Sequence, residues 1–232
     1  MSKTILVTGA GRGLGRTLAE RAGGRGDTVI AHARSEAALA GVPHAKALIA
    51  DLAEPESLAG AVAAAGIERL DALVHNAGVL NVNAVADETL EQWQLTLAVN
   101  VVAVAELTRL LLPALRAARG HVVFLNSGAG LNTAPRLASY SASKHALKSI
   151  ADALRAEERG NGVRVTSLYP SHFDTDMQRG LRDQYGSDYD PTRAMSPDSV
   201  AATILGVLDA PADMVVNDLR MEPPNPLAVS PR

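Results

Sequence analysis

Short apolar runs alternate with helix-like segments along the chain, and this alternation constrains the fold more than any other feature. Strands are expected over 4–8, 28–33, 45–50, 70–75, 121–125, 163–168 and 214–216. Helices are expected over 14–22, 35–40, 55–65, 89–118, 138–159 and 197–208. Ser35 reads as a helix N-cap. Pro55 sits in a first turn, where a missing N–H costs least. Pro113 reads as a kink or break in the long helical stretch. Strands that are apolar throughout, with helices between them, predict a parallel sheet covered on both faces. No composition break marks a second domain, so 1–232 is read as a single domain. Ligands of such a sheet bind at the carboxyl ends of its strands.

Residues 175–196 are polar, contain Gly180, Gly186 and Pro191, and read as a mobile substrate loop. Residues 223–232 carry Pro223, Pro224, Pro226 and Pro231 and read as an irregular tail.

Composition removes several function classes. Hydrophobic residues make up 47% of the chain, which supplies a core and excludes a disordered protein. The formal charge of −3, from 22 basic and 25 acidic residues, is too balanced for nucleic-acid binding by phosphate neutralisation. The absence of cysteine excludes disulfides, thiolate metal sites and cysteine nucleophiles, and fits a cytoplasmic setting. The run Leu110-Leu111-Leu112 is flanked by Arg109, Pro113 and Arg116, short of the ~20 apolar residues of a membrane span. The first residues lead straight into a strand pattern, so no secretory leader is expected. The six histidines show no i, i+4 pairing, so no metal site is expected.

The first strand runs into Thr8-Gly9-Ala10-Gly11-Arg12-Gly13-Leu14-Gly15, which fits T-G-x-x-x-G-x-G and fails G-x-G-x-x-G in every frame. Glycines there let the backbone turn tightly and approach a pyrophosphate, while the next helix presents free N–H groups. The plainer reading is an ordinary β–α turn. The second strand ends Ala33-Arg34-Ser35 where an adenosine ribose is met. An acidic residue at that place suits the 2′-hydroxyl of NAD, an arginine the 2′-phosphate of NADP. Arg34 and Arg12 together favour NADP, with Glu36 keeping NAD in play. Alternatively, both arginines are solvated surface charges. The fold class is therefore α/β, a Rossmann-like doubly wound sheet of about seven strands.

Tyr140 and Lys144 stand at i and i+4 on one helix face. A nearby cation lowers a phenol pKa, and the phenol then serves as general acid or base. The alternative is a surface helix pair. Ser127 closes the fifth strand, where a hydroxyl can donate to a carbonyl or simply cap a turn.

These residues resemble the short-chain dehydrogenase/reductase family, in its short single-domain branch. The resemblance runs through Thr8 to Gly15, Asp51-Leu52, Asn76-Ala77-Gly78, Asn100, Ser127, Tyr140, Lys144, and Pro170 with Thr175, in order. It implies an NADP(H)-dependent oxidoreductase that interconverts a secondary alcohol and a carbonyl. Tyr140 would exchange the proton and Ser127 would polarise the carbonyl. Lys144 would lower the tyrosine pKa and hold the nicotinamide ribose. Asn100 would position a water between Lys144 and solvent. Gly9, Gly11, Arg12, Gly13, Leu14, Gly15, Arg34, Asp51, Leu52, Asn76, Ala77 and Gly78 would line the adenosine and pyrophosphate side. Pro170 and Thr175 would lie at the nicotinamide. His172 and Phe173 begin the substrate loop and read as substrate contacts or plain loop packing.

The resemblance also implies a homodimer or homotetramer, formed through helices around 98–112 and 142–154. Two departures stand out. Pro170-Ser171 replaces the family's Pro-Gly, and His75 replaces the first residue of Asn-Asn-Ala-Gly; His75 reads as a packing residue. A cofactor-sensing regulator is the competing class, disfavoured because Tyr140 and Lys144 are both present. A nucleotide-sugar isomerase is disfavoured by the glycine spacing and by the short chain after Leu168.

Overall fold

The computed structural model describes residues 2–227. Residues 228–232, the Pro231 end of the expected irregular tail, lie outside the described residues. β1 (Thr4–Val7), α1 (Gly13–Gly24), β2 (Thr28–Ala33), β3 (Lys46–Ile49), α2 (Leu58–Ala65) and β4 (Ala72–His75) form the first half. α3 (Leu90–Leu97), α4 (Ala103–Ala118), β5 (His121–Leu125), α5 (Ala138–Glu158), β6 (Arg164–Pro170), α6 (Asp176–Tyr185), α7 (Pro197–Leu208) and β7 (Asp218–Met221) form the second. All seven strands pair in parallel, in the order β3-β2-β1-β4-β5-β6-β7. This is a doubly wound, Rossmann-like sheet. Its order reverses between β1 and β4, which opens a crevice at their carboxyl ends.

Strand side chains alternate between two cores. Ile5, Val7, Val29, Ala31 and Val74 face α1 and α7. Leu6, Ile30, Leu73, Val122 and Phe124 face the layer of α4 and α5. Both faces are dry, so the strands read as unbroken apolar runs.

The rod from Leu90 to Ala118 fills the expected helical stretch and is more apolar than the sequence reading allowed. Its 29 residues satisfy the length and hydropathy of a membrane span. It nevertheless lies against the sheet and buries Val99, Val104, Leu107, Leu111 and Leu115, which makes it a core helix. Thr89 starts it with a capping box: its Oγ accepts Gln92 N–H while Gln92 Oε1 accepts Thr89 N–H. Pro113 does not break it; α4 continues to Ala118. The irregularity falls instead on a π turn at Ala98–Val102.

Two other local expectations are corrected. Ser35 precedes a short 3₁₀ turn, Glu36–Leu39, and its side chain makes no capping bond. The last strand is Asp218–Met221, not 214–216: Met214 and Val215 are apolar but exposed, at 48% and 41%. An edge strand shows only alternate burial, and a β-branched run just before it carried the stronger signal. Residues 175–196, read in the sequence as a mobile substrate loop, contain α6. Thr175 caps that helix by accepting Gln178 N–H at 3.3 Å. Its polar composition reflects a helix with little buried surface.

Candidate active site

The crevice is braced by Thr8, at the end of β1. Its Oγ1 accepts the N–H groups of Asn76 (2.9 Å) and Ala77 (3.0 Å), just past β4. Asn76 answers by donating its amide to the Thr8 carbonyl at 2.8 Å. The two strand ends at the topological switch are thereby locked together.

The glycine loop folds over this brace. Gly9 and Gly13 take left-handed φ values of 68° and 53°. A Cβ on Gly15 would meet the Gly9 carbonyl at 2.2 Å, and one on Gly11 the Ala38 carbonyl at 2.5 Å. The spacing is thus enforced by the chain's own backbone. α1 begins at Gly13, and its N-cap Arg12 makes no side-chain cap. The first-turn N–H groups are left as free donors. Arg12 and Arg34 are exposed, and among the described residues no carboxylate pairs with either. Asp51 follows β3 and accepts Ala53 N–H at 2.9 Å, while Leu52 beside it is buried.

The second half of the site gathers at β5 and α5. Ser127 Oγ accepts Ala129 N–H at 3.1 Å, so it does cap a turn, and its own proton remains to donate. Burial pushes the Tyr140 pKa up, and the Ser127 hydroxyl opposes that shift. Lys144 is buried, and burial brings its pKa down to about 8. Its Nζ donates to the Leu125 carbonyl at 2.8 Å and lies over the Tyr140 ring, 5.7 Å from the centroid. The phenol pKa is thus raised by burial, where the sequence reading expects the Lys144 ammonium to lower it.

Asn100 occupies the π turn and is 1% exposed. Its Oδ1 accepts Val79 N–H at 2.9 Å. Its Nδ2 donates to Val79 O at 2.9 Å and to Ser143 Oγ at 3.0 Å. The side chain thus ties the segment after Gly78 to α5, one residue from Lys144. A Cβ on Gly78 would lie 3.3 Å from Asn100 Oδ1 and 3.9 Å from Lys144 Nζ, so these groups share one corner.

The profile of the short chain dehydrogenase family matches residues 3–186. The chain belongs to the short-chain dehydrogenase family. A family relative, serine 3-dehydrogenase of Agrobacterium fabrum, is 34% identical over 239 residues, covering 97% of this chain and 95% of that one. A short-chain dehydrogenase from Burkholderia cenocepacia, solved in complex with NADP, superposes with a TM-score of 0.82 at 27% identity, covering 95% and 88%. An alcohol dehydrogenase from Thermococcus sibiricus superposes at 0.87 over 99% and 100%, and at 20% identity it speaks for the fold alone. The family's members are oxidoreductases, and that class extends to this chain.

The remaining candidates follow β6. Pro170 ends that strand, paired with Met221 of β7. His172 is half-buried and hydrogen-bonds Ser171 Oγ at 3.1 Å; burial lowers its pKa, as does Arg182 nearby. Phe173 bridges to Met195 and packs on the sheet core. Thr175 is engaged in capping α6. His75 is a packing residue, as expected: it stacks on Phe124 and bonds Thr108.

Two supports escaped the sequence reading. Glu88 accepts the Ser139 hydroxyl and N–H at the start of α5, one residue before Tyr140. Asn126 Oδ1 accepts Ser127 N–H at 2.9 Å. Neither residue belongs to a motif, and only their position beside one could have signalled them.

Proposed function

We propose that this chain is an NADP(H)-dependent oxidoreductase interconverting a secondary alcohol and a ketone or aldehyde carbonyl. The observation that carries the reading is the buried Tyr140 phenol, with the Ser127 hydroxyl acting on it and Lys144 lying over its ring at the carboxyl edge of the sheet. A nicotinamide dinucleotide supplies or accepts the hydride in this chemistry. Tyr140 gives its proton to the carbonyl oxygen during reduction and takes it back during oxidation. Ser127 donates its hydroxyl to the same oxygen. Lys144, as ammonium, stabilises the phenolate and holds ribose hydroxyls. Asn100 positions the water through which Lys144 exchanges protons with solvent.

The free first-turn N–H groups and the glycine loop suit a pyrophosphate. Gly9, Gly11, Gly13, Leu14 and Gly15 form that cradle. The unpaired guanidinium groups of Arg12 and Arg34 suit a 2′-phosphate and favour NADP over NAD; the NADP held by the Burkholderia structure supports this choice. Asp51, Leu52, Asn76, Ala77 and Gly78 are assigned to the adenosine side, Pro170 and Thr175 to the nicotinamide side, and His172 and Phe173 to substrate. We read the chain as one dinucleotide-binding domain acting in the cytoplasm on a small molecule. It would self-associate through α4 and α5. A small hydroxy acid is a suitable first substrate to try, given the serine 3-dehydrogenase relative.

Fluorescence titration with NADPH and NADH, followed by a panel of carbonyls and alcohols with the tighter cofactor, tests the reading. NADPH binding with turnover of at least one carbonyl is expected. Binding of neither dinucleotide would overturn it. A sedimentation mass of one chain at micromolar concentration would overturn the self-association.

A further inference from the structure

One residue outside every motif holds the dinucleotide cradle in place. His32 is the second-to-last residue of β2 and is 2% exposed. Its Nδ1 accepts Gly9 N–H at 3.1 Å, and its Nε2 bonds the Ala50 carbonyl at 3.2 Å. An imidazole that accepts at Nδ1 and meets a carbonyl at Nε2 must be the neutral Nε2–H tautomer. Its main-chain carbonyl also accepts Ala10 N–H at 2.9 Å. Two consecutive N–H groups of the glycine loop are therefore satisfied by this one residue. The loop's remaining donors, from Gly11 onward, are the ones left for an anion.

From this geometry we propose that His32 is a positioning residue for cofactor binding: its Nδ1 fixes the Gly9 turn and so aims the donors that follow. The inference rests on the dinucleotide reading above. Gly9 needs such a tether because glycine populates positive and negative φ about equally, so nothing intrinsic to the residue holds it at 68°. Gly15 packs directly on the Gly9 carbonyl, with no room for a Cβ between them. A shift at Gly9 is thus transmitted to the start of α1. The Ala50 bond ties β2 to β3 but does not touch the loop.

Two isosteric substitutions separate the bonds. In His32→Asn the amide oxygen replaces Nδ1 and can accept Gly9 N–H, while the Ala50 bond is lost. In His32→Gln the amide nitrogen replaces Nε2 and keeps the Ala50 bond, while Gly9 N–H loses its acceptor. With NADPH as the probe, the Kd of His32→Gln is expected to rise about tenfold, and that of His32→Asn to stay within about threefold of wild type. Melting temperatures of both variants report any general loss of stability. A purely structural histidine would weaken both alike or neither, and either result overturns the inference. Amide hydrogen exchange on the wild-type protein gives a test that needs no variant. Gly9 and Ala10 should be protected without cofactor, and Gly11 and Gly13 only after NADPH is added. Fast exchange at Gly9 would overturn the inference. Failure of wild type to bind either NADPH or NADH would instead overturn the dinucleotide reading itself.

Discussion

The Lys144 ammonium stands over the Tyr140 ring, 5.7 Å from its centroid, while donating to the Leu125 carbonyl. Burial lowers its pKa from 10.5 to about 8. The amine is thus charged below about pH 8 and increasingly neutral above it. In the proposed reaction, carbonyl reduction needs this charge beside the phenol that gives up its proton. The rate at saturating cofactor is expected to hold below pH 8 and to fall above it. In Lys144→Arg, where the charge persists at any accessible pH, that inflection should vanish. A pH–rate profile of both proteins checks this.

Removing only the phenol oxygen isolates the proton transfer. Tyr140→Phe keeps the ring and is expected to lower turnover by ~10²–10⁴-fold. NADPH affinity should stay within roughly threefold, since under 1 kcal/mol of binding is at stake. Single-turnover kinetics paired with a binding titration separates the two effects.

Arg34 has no acidic partner to satisfy it among the described residues. Charge-assisted hydrogen bonds contribute about 1.5–3 kcal/mol, so Arg34→Glu should weaken NADPH by ~10–100-fold. NADH, which lacks the 2′-phosphate, should be affected far less. Equal losses for both dinucleotides would remove Arg34 from the 2′-phosphate site.

Buried imidazoles set the acid limit of the fold. Burial lowers the pKa of His32 from 6.5 to about 4, and those of His75 and His121 to about 3. Each is neutral when folded, and the unfolded chain takes up the protons first. Their contribution is fully present above pH 6.5 and is lost as pH falls toward the folded values. At pH 5 the loss is about 2 kcal/mol per histidine. Melting temperature should therefore drop steadily from pH 6.5 to 4, and His75→Asn should blunt the drop relative to its own value at pH 7.

Gly15→Ala would place a Cβ 2.2 Å from the Gly9 carbonyl. Main chain cannot yield as a side chain does, so a loss of about 1–3 kcal/mol is expected, read in denaturant unfolding.

Much of this was written in the sequence because period and punctuation agree with the sheet. Six of the seven strands are apolar runs between helices, and Gly9 to Gly15 mark the first crossover. Tyr140, Lys144 and Ser127 were legible because helix spacing and a strand end placed them. What escaped depends on long-range contacts. The edge strand Asp218–Met221 has no apolar run to announce it. His32 looks like one more strand residue until Gly9, 23 positions away, is folded against it. Glu88 reaches Ser139 across 51 positions. No local pattern encodes such partners.

The π turn at Ala98–Val102 gives the long rod one residue more than a regular helical path requires. Trimming a single residue from this turn would return it to regular α-helical bonding and change the direction in which residue 100 projects. Asn100 would then swing away from Ser143 and Val79, and the loop after β4 would lose its anchor. The chain can thus tolerate exchange of side chains along this rod far more readily than any change in its length.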